Sequence, residues 1–121
     1  MTPEITRVLD AYASLVADAA SLVTPLTDAQ VNFQPDGGMR WSIGQNLDHL
    51  VRSNTSYMAA MRPAIAAARA AGRAGSGQLT PGFGGRLFVS RLEPPPPMRV
   101  KAPSAIQPSS SFVAADVLRA F

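Results

Sequence analysis

The run Trp41-Ser42-Ile43-Gly44-Gln45-Asn46-Leu47-Asp48-His49-Leu50 decides how the rest of the chain reads. Ser42 followed three residues later by Gln45 has capping-box spacing, in which the hydroxyl and the carboxamide each satisfy a backbone donor left open at a helix start. Trp41, one position earlier, suits the hydrophobic staple and reads as a packing anchor, since tryptophan is normally largely buried. A long helix therefore begins here. Its apolar residues Ile43, Leu47, Leu50, Val51, Tyr57, Met58, Met61 and Ile65 recur at three- and four-residue spacing. An alanine-rich tail over residues 64–71 has high helix propensity, Pro63 predicts a kink, and Gly72 marks the end.

Upstream, Ile5, Val8, Leu9, Tyr12, Val16, Ala19 and Val23 share one face of a first helix, which Thr2-Pro3 can start and Thr24-Pro25 ends. Thr27-Asp28-Ala29-Gln30 repeats the capping-box spacing, predicting a short helical turn, and Pro35-Asp36-Gly37-Gly38 predicts a tight turn.

Downstream, residues 72–85 are rich in Gly, Ser and Thr. A phosphate-binding loop is excluded, because no Gly-Lys-Ser/Thr follows and no third glycine has the required spacing. Leu87-Phe88-Val89 reads as a brief extended segment. Residues 94–97 read as a polyproline II strap that, with Arg99, matches a P-x-x-P-x-R pattern. Pro103 and Pro108 keep the chain extended, and Ser109-Ser110-Ser111 offers caps for a last helix carrying Val113, Val117, Leu118 and Phe121.

The fold class is all-α, in one domain of 121 residues. Helix 1 is expected at about 3–23, helix 2 at about 43–71, a linker at about 72–111, and the start of a third helix at about 112–121. Two long helices and an arm cannot cover both apolar stripes. Either residues beyond Phe121 supply the missing helices or a second copy of the chain does. The chain stops inside a helix on a large aromatic, which favours the first and predicts a C-terminally truncated four-helix bundle.

Composition removes several functional classes. Apolar residues are 46% and charged residues 16%, a globular composition. Of 11 cations ten are arginine, against 8 acids, and they are scattered without interleaved aromatics, so nucleic acid is not an expected partner. With no cysteine, disulfides, thiolate ligands and a cysteine nucleophile are excluded, and any metal must use histidine, carboxylate or water. Glu4, Arg7 and Asp10 interrupt any signal-peptide core, and no stretch is long enough to span a bilayer. A cytoplasmic protein without membrane partners is the expectation.

Leu26-Thr27-Asp28-Ala29-Gln30, Gly38, Trp41-Ser42-Ile43-Gly44-Gln45 and His49-Leu50 resemble the N-terminal half of the DinB-like (YfiT-like) superfamily. Lys101-Ala102-Pro103, Pro108 and Val117-Leu118-Arg119-Ala120-Phe121 look like the linker and the opening of the third helix in the same family. The distinctive block is a tryptophan, a small hydroxyl residue and a histidine eight positions after the tryptophan, the separation of Trp41 and His49. The resemblance implies a four-helix bundle with a long connection between its second and third helices. It implies a divalent metal, nickel or zinc, bound by three histidines. His49 holds the position of the ligand on helix two. The other two belong to an H-x-x-x-H pair on the last helix, and His49 is the one histidine here. This chain alone is thus expected to hold no metal tightly.

Taken bare, a single histidine is more often a surface or hydrogen-bonded residue than a ligand. By helical phase His49 lies about 145° from the centre of the stripe of Leu47, Leu50 and Met61, outside the core face. Asp48 points about 100° away from it, so a shared metal is not expected, and it reads as a solvated surface carboxylate. Asn54 and Tyr57 read as core or buried hydrogen-bonding residues.

The resemblance implies a metal-dependent enzyme, a thiol-dependent S-transferase or a hydrolase-like protein, when three ligands are assembled. The alternative is a non-catalytic helical interaction module, a homodimer pairing through Met58, Met61 and Ile65.

Overall fold

The computed structural model describes residues 3–73, 75, 82–92 and 101–121. Among them are six α-helices and one 3₁₀ turn, and no strand. The elements are α1 (Pro3–Val23), α2 (Asp28–Asn32), α3 (Pro35–Gly38), α4 (Ile43–Ala70), α5 (Phe83–Leu92), η1 (Ser104–Ile106) and α6 (Ala114–Ala120). The chain is all-α, as its periodicity requires. Thr2 and the proline strap of residues 94–97 with Arg99 lie outside the described residues.

Local signals placed the starts of α2 and α4. Thr27 caps α2 with both bonds of the box present: the Gln30 amide donates to its hydroxyl and its own amide donates to Gln30 Oε1. Ser42 does the same for α4, through Gln45 N–H to Ser42 Oγ at 3.1 Å and Ser42 N–H to Gln45 Oε1 at 3.0 Å. α3 is a single turn whose Asp36 and Gly37 take left-handed backbone angles, φ 54° and 63°. Glycine tolerates that region freely, and the short polar side chain of aspartate makes it one of the few other residues found there.

Two compact units emerge, the first comprising residues up to Tyr57 together with Ser104–Phe121, the second Met58–Pro103. In the first, Val23, Val31, Leu47 and Val117 form the buried core, with Ala19, Leu26, Phe112, Ala114, Leu118 and Phe121 packed against it. This joins the end of α1, α2, the first turns of α4 and α6. Most of the α1 stripe is left open: Val8, Leu9, Tyr12 and Val16 are about half exposed. An open apolar groove of ≈ 550 Å³ runs along Leu15, Ala19, Leu22, Ile43, Leu47, Leu50 and Phe121.

In the second unit α4 continues past Pro63 to Ala70. It then closes on Gly72, φ 64°, with Arg73 N–H donating to Ala68 O and Gly72 N–H to Arg69 O. These are the two bonds of a Schellman cap, which explains the glycine.

Four expectations are corrected. Leu87-Phe88-Val89 is helical, inside α5, which starts from an Arg86 N–H to Gly82 O bond. Three apolar residues are too short a window to distinguish a period of 2 from one of 3.6. The stretch at 72–111 therefore carries α5 and η1 and is not a bare linker. The last helix begins at Ala114, and no hydroxyl of Ser109-Ser110-Ser111 caps it: Asp28 Oδ1, 86 residues earlier in sequence, accepts the Ala114 N–H at 2.8 Å. Asn54 and Tyr57 are both exposed, so neither has the core role expected of it.

Candidate functional site

His49 sits in the second turn of α4, half-buried, between two neighbours, the Trp41 ring and the Ile106 carbonyl. The Trp41 ring lies 5.0 Å away between centroids, tilted by 51°. Trp41 is 37% exposed, so it is an anchor chiefly for the imidazole and not a buried core residue. The reason lies in helix geometry: with Ser42 as cap, the position a staple would use is polar Asn46, and Trp41 packs on the next available ring.

His49 Nδ1 is 2.7 Å from the Ile106 carbonyl oxygen at the end of η1. A carbonyl only accepts, so Nδ1 carries the proton. In the neutral ring Nε2 is then the nitrogen with the free lone pair. Metal-binding histidines have this arrangement, with the remote ring N–H donated to a carbonyl or carboxylate that fixes tautomer and ring plane.

The helical phase of His49 acquires a meaning from its partners. Gln45, Asp48, His49 and Arg52 are spaced i, i+3, i+4, i+7 and so form one polar stripe. The groove residues Ile43, Asn46, Leu47 and Leu50 lie about 160° around the helix at 100° per residue. The stripe meets the segment after η1. Asp48 Oδ2 accepts from Ser109 N–H at 2.8 Å and from Arg52 Nε at 2.8 Å. Arg52 Nη2 donates to Ser109 Oγ at 2.8 Å, and Gln45 Nε2 to the Ser109 carbonyl at 3.3 Å.

Asp48 is thus not the solvated carboxylate its sequence position suggests, since its side chain is 17% exposed. Its partial burial works against ionisation. That is outweighed by the hydrogen bond from the Ser109 backbone, then by the hydrogen bond and charge of Arg52 and a bond from the Ser109 side chain. Together these hold its carboxyl below the ordinary carboxylate value.

One turn beyond His49 on nearly the same face, the Ser53 hydroxyl is buried and has no hydrogen-bond partner among the described residues. Buried hydroxyls are normally paired, so Ser53 is an exception among the described residues. Neither the burial of Ser53 nor the bond to Ile106 has a sequence signal, as both depend on the fold.

The donor set tests the metal expectation. His49 Nε2 fits a ligand nitrogen. Among the described residues, however, no group of three or more His, Cys, Asp or Glu side chains could hold a metal ion. Asp48 is already engaged by Ser109 and Arg52. The described residues therefore do not assemble a metal centre, and no chemical step is derived through a metal.

No helix among the described residues is long and apolar enough to cross a membrane. Comparison with the curated proteins finds no match, and comparison with the solved structures finds none either. The sequence profile of one family does match, over residues 3–119, a span that takes in α1, the Trp41 to His49 block, η1 and nearly all of α6. The chain belongs to the DinB superfamily.

Proposed function

We propose that His49 supplies one imidazole ligand, through Nε2, to a divalent nickel or zinc centre of a DinB-type domain, completed by two ligands that these 121 residues do not contain. The observation that supports this is the Nδ1 bond to the Ile106 carbonyl at 2.7 Å, which leaves Nε2 with the free lone pair a ligand needs. Three protein ligands with a fourth position open is the usual arrangement of catalytic zinc. The activity that fits is a metal-dependent transferase using a low-molecular-weight thiol, or a hydrolase, and a site of one imidazole is inactive by itself. Elemental analysis of the longest natural reading frame, before and after His49→Ala, tests it. About one equivalent of metal lost with the imidazole supports the proposal; equal metal in both proteins, or none in either, rejects it.

A second reading, a non-catalytic helical module that pairs with its own copy, is favoured by the open apolar face of Met58, Met61 and Ile65, each 44–50% exposed. It requires a dimer and no retained metal.

A further inference from the structure

The stripe on α4 does more than cover the segment after η1, because its members reach two points of the chain only three residues apart, Ile106 and Ser109. Asp48 and Arg52 hold Ser109, while their neighbour His49 takes the carbonyl of Ile106. Asp48, Arg52 and Ser109 close a triangle of three hydrogen bonds, each 2.8 Å. Gln45 adds a fourth bond, to the Ser109 carbonyl. Between the two anchor points lies Pro108, whose ring restricts the backbone, and η1 is itself closed by Gln107 N–H donating to Ser104 O at 3.3 Å. A short, stiff connection clamped at Ser109 has little freedom at Ile106.

We infer that Asp48, acting with Arg52 through Ser109, is a positioning residue that holds the Ile106 carbonyl over His49 Nδ1 and so keeps the imidazole in the tautomer whose Nε2 is free to bind. The inference rests on the reading of His49 as a ligand for its functional meaning. Its physical content is a property of this chain alone. An unconstrained neutral imidazole favours the proton on Nε2, the opposite of what the Ile106 carbonyl imposes, so the clasp has a measurable consequence. Trp41 packs beside the ring and leaves the choice of tautomer to the hydrogen bond.

The chain has a single histidine, so ¹⁵N labelling of histidine gives one imidazole whose two nitrogens can be assigned without ambiguity. Spectra are recorded across a short series of mildly alkaline pH values, and the tautomers are compared where the imidazole nitrogen signals no longer change with pH. The protein is expected to show Nδ1–H as the major form. In Asp48→Ala the major form is expected to become Nε2–H, with the helical circular dichroism unchanged. Nε2–H as the major form in the unaltered protein overturns the inference, and so does Nδ1–H persisting as the major form in Asp48→Ala. Should Asp48→Ala lose its helical signal, Arg52→Met decides: a reduced Nδ1–H share supports the clasp and an unmoved share overturns it. A purely structural Asp48 would change stability and leave the tautomer alone. Failure of the ligand reading shows instead as metal content indifferent to His49→Ala, an outcome separate from every tautomer result above.

Discussion

The carboxamide of Asn32 pairs with both backbone groups of Phe112, 80 residues away: Nδ2 donates to the Phe112 carbonyl at 2.7 Å and Oδ1 accepts the Phe112 N–H at 2.8 Å. The same Nδ2 also donates to Asp28 O at 2.7 Å. With Asp28 Oδ1 on Ala114 N–H, α2 seats the start of α6 by hydrogen bonds that strand pairing would otherwise supply. Asn32→Asp keeps the shape and replaces the donor by a charged acceptor facing two carbonyl oxygens. The expected cost is about 3 kcal/mol, the range for an unsatisfied buried group raised by charge. Urea titration followed by circular dichroism should show the midpoint fall; an unchanged midpoint would refute the pairing.

Because Asn32 holds the backbone of Phe112, the ring of that residue can move away from α4 only by changing its side-chain rotamer. A Cβ built on Gly44 would lie 2.5 Å from Phe112 Cδ2 and 3.1 Å from Val31 Cγ1. Helix propensity favours alanine over glycine by about 1 kcal/mol, whereas overpacking costs roughly 1–3 kcal/mol. The steric term is expected to win, so Gly44→Ala lowers the thermal midpoint. Gly84→Ala in α5, with nothing within 4 Å of the added methyl, is the control and should be neutral or stabilising. Equal gains at both positions would show that Phe112 does not pack on Gly44.

These two sites show where sequence reading stops. Both capping boxes, the α1 and α4 stripes and the Gly72 terminus were legible because their causes lie within four or five residues. The roles of Asp28, Asn32 and Gly44 depend on partners 68 to 86 positions away and leave no periodic trace. His49 is intermediate. Its spacing from Trp41 signalled the family, and its phase excluded the core, yet its partner Ile106 is 57 residues distant. Nothing local distinguishes an imidazole that meets a carbonyl from one that meets water.

The unpartnered Ser53 hydroxyl makes a prediction about stability. A buried hydroxyl without a partner costs about 1–3 kcal/mol of desolvation, so removing it should not destabilise the metal-free chain. Ser53→Ala is expected to be neutral or stabilising by up to about 1 kcal/mol. Differential scanning calorimetry of the two proteins, prepared with chelator, checks the sign. A clear loss of stability would mean that the hydroxyl has a partner in solution.

The open face of α4 in the second unit has consequences for self-association. Met58, Met61 and Ile65 are spaced three and four apart and remain about half exposed, a contiguous apolar stripe that water does not favour. Pairing of two such stripes about a twofold axis would bury them. The same helix carries Arg62 and Arg69, followed by Arg73, and no acid lies between Met58 and Arg73. An isologous contact therefore brings like charges together, and attraction between apolar surfaces must exceed that repulsion. Two dependences follow. Association should strengthen as salt is raised from about 0.01 M to 0.15 M, because the screening length falls from about 30 Å to about 8 Å. Met61→Asp should weaken it, since the carboxylate enters the centre of the apolar contact and its desolvation outweighs any pairing with arginine. Size-exclusion chromatography with light scattering over a concentration series reads both. A monomer at every concentration and salt level, unfolding cooperatively, would show that the stripe is tolerated in water and that this face pairs with no second copy.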